Sequence, residues 1–271
     1  MRNIITIGLL IGCVLFGKAQ NEADKWLKAV SAQQGIAIEW QERPTSFAKK
    51  GIKSFVGYYK GDFMASLSVG KSVSGSFNYQ GTSYEISDSK GQLVFYKDEE
   101  GICGNQYKEE QHNSAFARPV LAAEEAQPKI ANTQVLRVYR LAMHIPYSTF
   151  SRYYFDSKIE KVKTFWADTE TFLNEMYLRD LGVRFEVVND ERLIIKDATK
   201  ETFASSRNAS YVKDNSTIVI NNLIGENSYD VGISLVYTSS QQSGIRGLAH
   251  IEGVYQSNTK ADAVAVLTKE V

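Results

Sequence analysis

The sequence predicts an α+β / α/β protein: a β-rich first half, then an α/β half in which long helices cover a mixed sheet. Three observations carry this. Between Ile36 and Tyr96 the chain is a succession of short β-forming runs. From Lys108 to Gln134 it loses all period. From Val135 onward strand and helix patterns alternate.

In the first half, Ser74–Tyr79, Thr82–Ser87 and Gln92–Tyr96 are separated by Gln80-Gly81 and Lys90-Gly91. Glycine at those points admits positive φ, which tight hairpin turns need, so a β-meander is predicted. A short helix near Glu22–Ala32 precedes it. So small a set of strands needs another surface to cover one face. Lys108–Gln134 contains Pro119 and Pro128, scattered charges, Ala and Gln, and reads as an exposed linker open to proteolysis.

In the second half, Val135–Ile145 is a long strand candidate. Ile159, Val162, Phe165, Trp166, Phe172, Leu173 and Met176 recur at helical spacing, which predicts a helix over Ser157–Asp180 with a core-packing face. Asp156 or Ser157 can cap it, and Gly182 stands where a left-handed residue ends a helix. Val183–Val188, Leu193–Ile195, Thr217–Ile220 and Val231–Val236 are read as further strands. The alternation of strand and crossover helix predicts the mixed sheet.

The N-terminus, MRNIITIGLLIGCVLFGKAQ, has one basic residue, an apolar run from Ile4 to Phe16, and Gly17-Lys18-Ala19. That is the pattern of a secretory signal peptide cleaved after Ala19, so the protein is expected to be secreted or periplasmic. A lipobox around Cys13 ranks second, because the apolar run continues past it. Without the signal about 250 residues remain, enough for one large domain or two small ones. The 31 basic and 31 acidic residues cancel and form no basic stripe, so nucleic acid is not an expected partner. After signal cleavage no apolar run is long enough to span a membrane, and no membrane association is expected. Cys103 then remains as a lone cysteine between Gly101 and Gly104, free to pair with another chain, stay a thiol or ligate something.

The second half resembles the reprolysin-like (adamalysin-type, metzincin) secreted bacterial zinc metallopeptidases. The resemblance rests on Val138-Tyr139-Arg140-Leu141-Ala142, on Asn174–Val183, on Ile224-Gly225 with Tyr229-Asp230-Val231-Gly232, and on Gly247–Tyr255 followed by Lys260–Val266. It implies domains at 1–19 (signal), 20–107 (β-rich pro-domain), 108–134 (linker) and 135–271 (an incomplete metzincin-like catalytic domain). It also implies a peptide or protein substrate lying antiparallel along a sheet edge at Gly247–Val254, with Gly247, Leu248, Ala249 and His250 lining it. The bland alternative is a surface loop.

The same resemblance gives Cys103 a role as a latency ligand, the cysteine switch. A thiolate can fill the open fourth position of a catalytic zinc, and Gly101 and Gly104 let the backbone thread a cleft. The bland alternative is a buried structural thiol.

The family's H-E-x-x-H-x-x-G-x-x-H motif is absent. The three histidines, His112, His144 and His250, are dispersed, and none is followed by Glu. In the family the zinc helix follows the strand that Ala263–Leu267 resembles, so the chain is expected to be an N-terminal portion of a zymogen. Zinc belongs to the full-length family. No catalytic residue and no metal ligand is expected here, and no zinc is expected to bind this chain. The alternatives are a non-catalytic secreted peptide- or protein-binding protein and a structural protein without ligand.

Overall fold

The computed structural model describes residues 22–32, 35–79, 82–89, 91–97, 102–103, 136–204, 208–237, 245–250 and 256–267. The expected signal peptide, the linker 108–134, His112, Gly101 and Gly104 lie outside these residues. The chain divides into two compact units. The described residues within Met1–Glu99 and Phe150–Glu175 form one, and those within Glu100–Thr149 and Met176–Thr268 form the other. The architecture is mixed α/β: an antiparallel six-stranded sheet, then a mixed sheet with helices.

The first unit opens with helix α1, residues 22–32. The strands β1 (Glu39–Arg43), β2 (Lys53–Tyr59), β3 (Asp62–Val69), β4 (Val73–Tyr79), β5 (Thr82–Ser89) and β6 (Gln92–Lys97) follow in sheet order. Every neighbouring pair is antiparallel, as short hairpin connections require. Gly91 has φ +78, the left-handed backbone the β5–β6 turn was expected to need.

One sheet face is apolar. Phe55, Ala65, Leu67, Val69, Val73, Phe77 and Ile86 pack with Ala23, Trp26, Leu27 and Val30 of α1. The opposite face carries serines. Ser54 and Ser68 meet at 2.7 Å, and Ser66 and Ser76 at 2.9 Å. Period-2 alternation would leave such a face in water. Instead Ser54, Ser66 and Ser68 are fully buried.

They are buried by α3 (Ile159–Leu181), whose residues up to Glu175 belong to this unit. Ser72 meets Thr164 at 2.7 Å, Phe47 packs near Trp166, and Phe63 near Phe172. Glu170 accepts from the Ser46 N–H (2.7 Å) and hydroxyl (2.6 Å). The helix ends at Gly182, φ +63, as the sequence predicts. Of its expected apolar face, Val162 and Trp166 are fully buried, whereas Met176 is 39% exposed.

In the second unit the strands are β7 (Ile102–Cys103), β8 (Arg137–His144), β9 (Val183–Val187), β10 (Val231–Tyr237), β11 (Ile245–Ala249) and β12 (Ala263–Leu267). The sheet order is β7-β11-β12-β10-β8-β9. β8 pairs parallel with β9 and β10, and β10 parallel with β12, so long connections separate them. β11 runs antiparallel to β12. A short helix α2 (Tyr147–Arg152) follows β8.

Two expectations are corrected. Thr217–Ile220 is not a strand; it lies inside helix α4 (Ala209–Ile224). Asn208 caps that helix by accepting from Ser210 N–H, and Ala209, Val212, Ser216, Ile220 and Ile224 bury one face at helical spacing. The β-branched residues therefore yield to the longer pattern. Leu193–Ile195 forms a 3-10 turn and a single bridge, Ile145↔Ile194, instead of a strand.

Candidate functional site

β11 is an irregular strand with β12 on one side and β7 on the other. Against β12, Gly247 pairs with Ala265, Leu248 with Val264 and Ala249 with Ala263. Against β7 the pairing is parallel, Ile245 with Ile102 and Gly247 with Cys103, with a register shift between Ile245 and Gly247. The segment expected to form the sheet edge is thus one strand in from it. The edge itself is the two residues Ile102–Cys103.

Gly247 and Cys103 are opposite each other. Among the described residues, a Cβ on Gly247 would meet Val264 O alone, at an ordinary contact of 3.7 Å. The glycine is not demanded by crowding, so its value is an open approach to the backbone. Leu248 turns partly into a small core with Phe203, Val212, Val236 and Val264. Ala249 and His250 are exposed, and the His250 N–H donates to Asp262 O at 2.8 Å. Residues 251–255 lie outside the described set.

His144, the last residue of β8, is fully buried. Its Nδ1 lies 3.1 Å from Ser234 Oγ and its Nε2 3.3 Å from Thr202 Oγ1. Ser234 Oγ also accepts from Ser216 at 2.8 Å, and Phe203 meets the ring edge-on at 5.6 Å. Burial pushes the imidazole down to about 3, so it is neutral at ordinary pH. A serine–histidine contact suggests nucleophilic catalysis. Here Ser234 and Ser216 are as buried as the ring, so no substrate reaches them.

The described histidines do not meet. Sheet order puts β12 and β10 between the strand that His250 follows and the strand that ends in His144. Three strand spacings are roughly 14 Å, far beyond two ligands on one zinc, each about 2 Å from the metal. Both His144 nitrogens are already engaged. Among the described residues no group of three His, Cys, Asp or Glu could hold a metal. The donor set of the described residues does not fit a catalytic zinc.

The other residues that carried the resemblance have structural work. Arg140 forks onto Asp230, Nη2 to Oδ1 at 2.7 Å and Nε to Oδ2 at 3.0 Å. The guanidinium holds the Asp230 carboxyl below the usual carboxylate range. Lys260 Nζ sits 4.0 Å from the Tyr229 ring centre and donates to Tyr229 O at 2.9 Å. Tyr229 OH donates to Asn221 at 2.8 Å, and burial pushes its phenol up. Gly232 is required by close packing, since a Cβ would stand 2.6 Å from that of Ala261.

Residues 166–270 match the metallo-peptidase family M12B, reprolysin-like. The match begins at Trp166, inside α3, and runs through β9, α4, β10, β11 and β12. That part of the chain is a reprolysin-like M12B metallopeptidase region, of a family that is zinc-dependent and acts on proteins. No curated protein matches the chain.

Proposed function

We propose that this chain supplies the substrate-binding edge and the self-blocking strand of a secreted reprolysin-like zinc endopeptidase held as a zymogen. In this reading a signal peptide ending at Ala19 exports it, the β-rich first half is the pro-domain, and Cys103 is the latency ligand. This sequence alone supplies no zinc helix and does not cleave peptides by itself.

One observation carries the reading: β7, with Cys103, pairs along β11 in parallel register. An edge strand recruits an extended chain through its unpaired N–H and C=O groups. β7 already uses those of β11. The resemblance implies a substrate running antiparallel to this strand. A parallel occupant takes the same hydrogen bonds with its chain direction reversed, so it fills the groove without offering a peptide bond in the productive sense. The alternative, a non-catalytic secreted peptide-binding protein, is favoured by the roughly 14 Å between the strands of His144 and His250.

Binding of an extended peptide separates these cases. Cys103→Ala keeps the strand and removes the thiol, whereas Cys103→Pro removes a backbone donor from the two-residue strand. Fluorescence anisotropy with a labelled extended peptide should show at least tenfold tighter binding to the Pro variant and little change with Ala. Equal binding by both variants and the parent would reject β7 as the blocking strand.

A further inference from the structure

Helix α3 has two affiliations. By sequence it belongs to the second half: it lies on the crossover between the parallel strands β8 and β9, and the family match begins inside it, at Trp166. By packing, its residues up to Glu175 belong to the first unit. The ties are spread along the helix. Lys161 Nζ donates to Asp88 O at 3.0 Å, and Ser72 and Thr164 meet at 2.7 Å. Glu170 accepts from the Ser46 N–H, the Ser46 hydroxyl and, at 3.2 Å, the Thr45 hydroxyl. Glu175 accepts from Arg43 Nε at 3.0 Å and from the Tyr58 hydroxyl. From Lys161 to Glu175 the helix advances roughly 21 Å.

Every one of these contacts joins a residue before the expected linker 108–134 to a residue after it. They are of a kind that outlasts a cut backbone. Glu170 is only 1% exposed, and a buried carboxylate with three donors is held more firmly than an exposed ion pair. Val162, Trp166 and Ala167 are fully buried between the polar ties, with Phe47 against Trp166. Separation would return that apolar surface to water. β7 differs: it is two residues long, sits in the second unit, and takes part in none of these contacts. What precedes the linker is therefore a body bound to α3 and a short strand bound to β11.

We propose that the β-rich half is a permanent subunit: when the backbone is cut between β6 and β8, the six-stranded sheet stays bound to the rest of the protein through α3. The serine face of the sheet is then an interface built for one helix, α3 of the same chain. Where β7 blocks β11, unblocking needs withdrawal of β7 alone and not loss of the whole β-rich half. This last step rests on the proposed function; the binding of the two pieces does not.

The test uses the full chain with a site for a sequence-specific protease inserted between Glu99 and Glu100. After cutting, β7 and β11 share one piece, so their pairing does not hold the two pieces together. A C-terminal tag retains residues 100–271, and release of residues 1–99 is timed under native conditions. The parent pieces should elute together and part only in denaturant. Glu170→Ala should speed release about tenfold or more. Arg43→Ala, at the more exposed end of the interface, should speed it about threefold, and decides the matter if the first variant does not fold. Cys103→Pro should leave release unchanged. Pieces that part as soon as the parent is cut, no acceleration in the α3-contact variant that folds, or faster release in Cys103→Pro would overturn the proposal. Peptide binding at β11 is read separately, so failure here is distinct from failure of the proposed function.

Discussion

One buried titratable side chain from each unit, His144 and Asp168, shows the two units treating such a group in opposite ways. In the second unit His144 has both ring nitrogens occupied by hydroxyls and Phe203 against its ring. In the first unit Asp168 has one oxygen partnered, one orphaned, and an open cavity beside it. Burial moves each away from its charged form, His144 down and Asp168 up. A satisfied buried group needs nothing more than its fold, whereas an unsatisfied one leaves a desolvation cost in the folded state.

That contrast breaks most sharply at Trp166, fully buried on the helix that covers the serine face. Trp166→Ala should cost about 3–5 kcal/mol, read by urea unfolding. A loss under about 1 kcal/mol would mean that α3 does not hold the first unit together.

Acid should weaken the second unit next. His144 binds its proton near 6.5 when unfolded and only at about 3 when folded. Between those values the unfolded state holds more protons, so stability present above pH 6.5 is lost as the pH falls toward 3. His144→Gln should flatten that slope in urea midpoints measured from pH 7 to pH 4. An unchanged slope would place the titrating group elsewhere.

Asp168 has the reverse sign. Its folded carboxyl is raised, so the stability it leaves intact below the ordinary carboxylate value of 3.8 is lost as the pH rises through its folded value. Asp168→Asn should gain on the parent as pH rises, and parallel stability curves would contradict the orphaned-oxygen account. The smallest effect is expected from Arg140→Ala. The Arg140–Asp230 pair is geometrically ideal but its side chains are 46% and 35% exposed, and such pairs contribute about 0.2–1 kcal/mol.

The two sheets were also unequally legible. The first is built from neighbours in sequence, so short β-runs with glycine turns were enough to name its last three strands, β4 to β6. The second joins distant strands, and residues such as Arg140 and Asp230 had no visible partner until the fold brought them together. Thr217–Ile220 misled because β-branched residues favour strands locally, while the longer buried face of α4 overrode them. In the sequence nothing marks Asp168 out from the other polar positions of an amphipathic helix. The missed signal was the run Ser66, Ser68, Ser72, Ser74, Ser76: small residues on one sheet face let a helix approach and bury its own polar side chains. For Cys103 the residues alone leave several uses open, and its neighbour Gly247, distant in sequence, is visible only in the fold.

The pairing of β7 with β11 is the central claim, and a disulfide tests it most directly. Neighbouring strands are about 4.8 Å apart, inside the range of Cα separations that a disulfide spans. Gly247 stands opposite Cys103 and has room for a Cβ. In a chain with Cys13→Ser, Gly247→Cys should oxidise to a bond with Cys103 within one molecule, identified by peptide mass mapping without reduction. Ala249→Cys, two residues further along β11, should form it much less. Two free thiols in the Gly247→Cys chain after oxidation, or equal bonding at both positions, would show that β7 does not lie in this register and would remove the basis for a self-blocking strand.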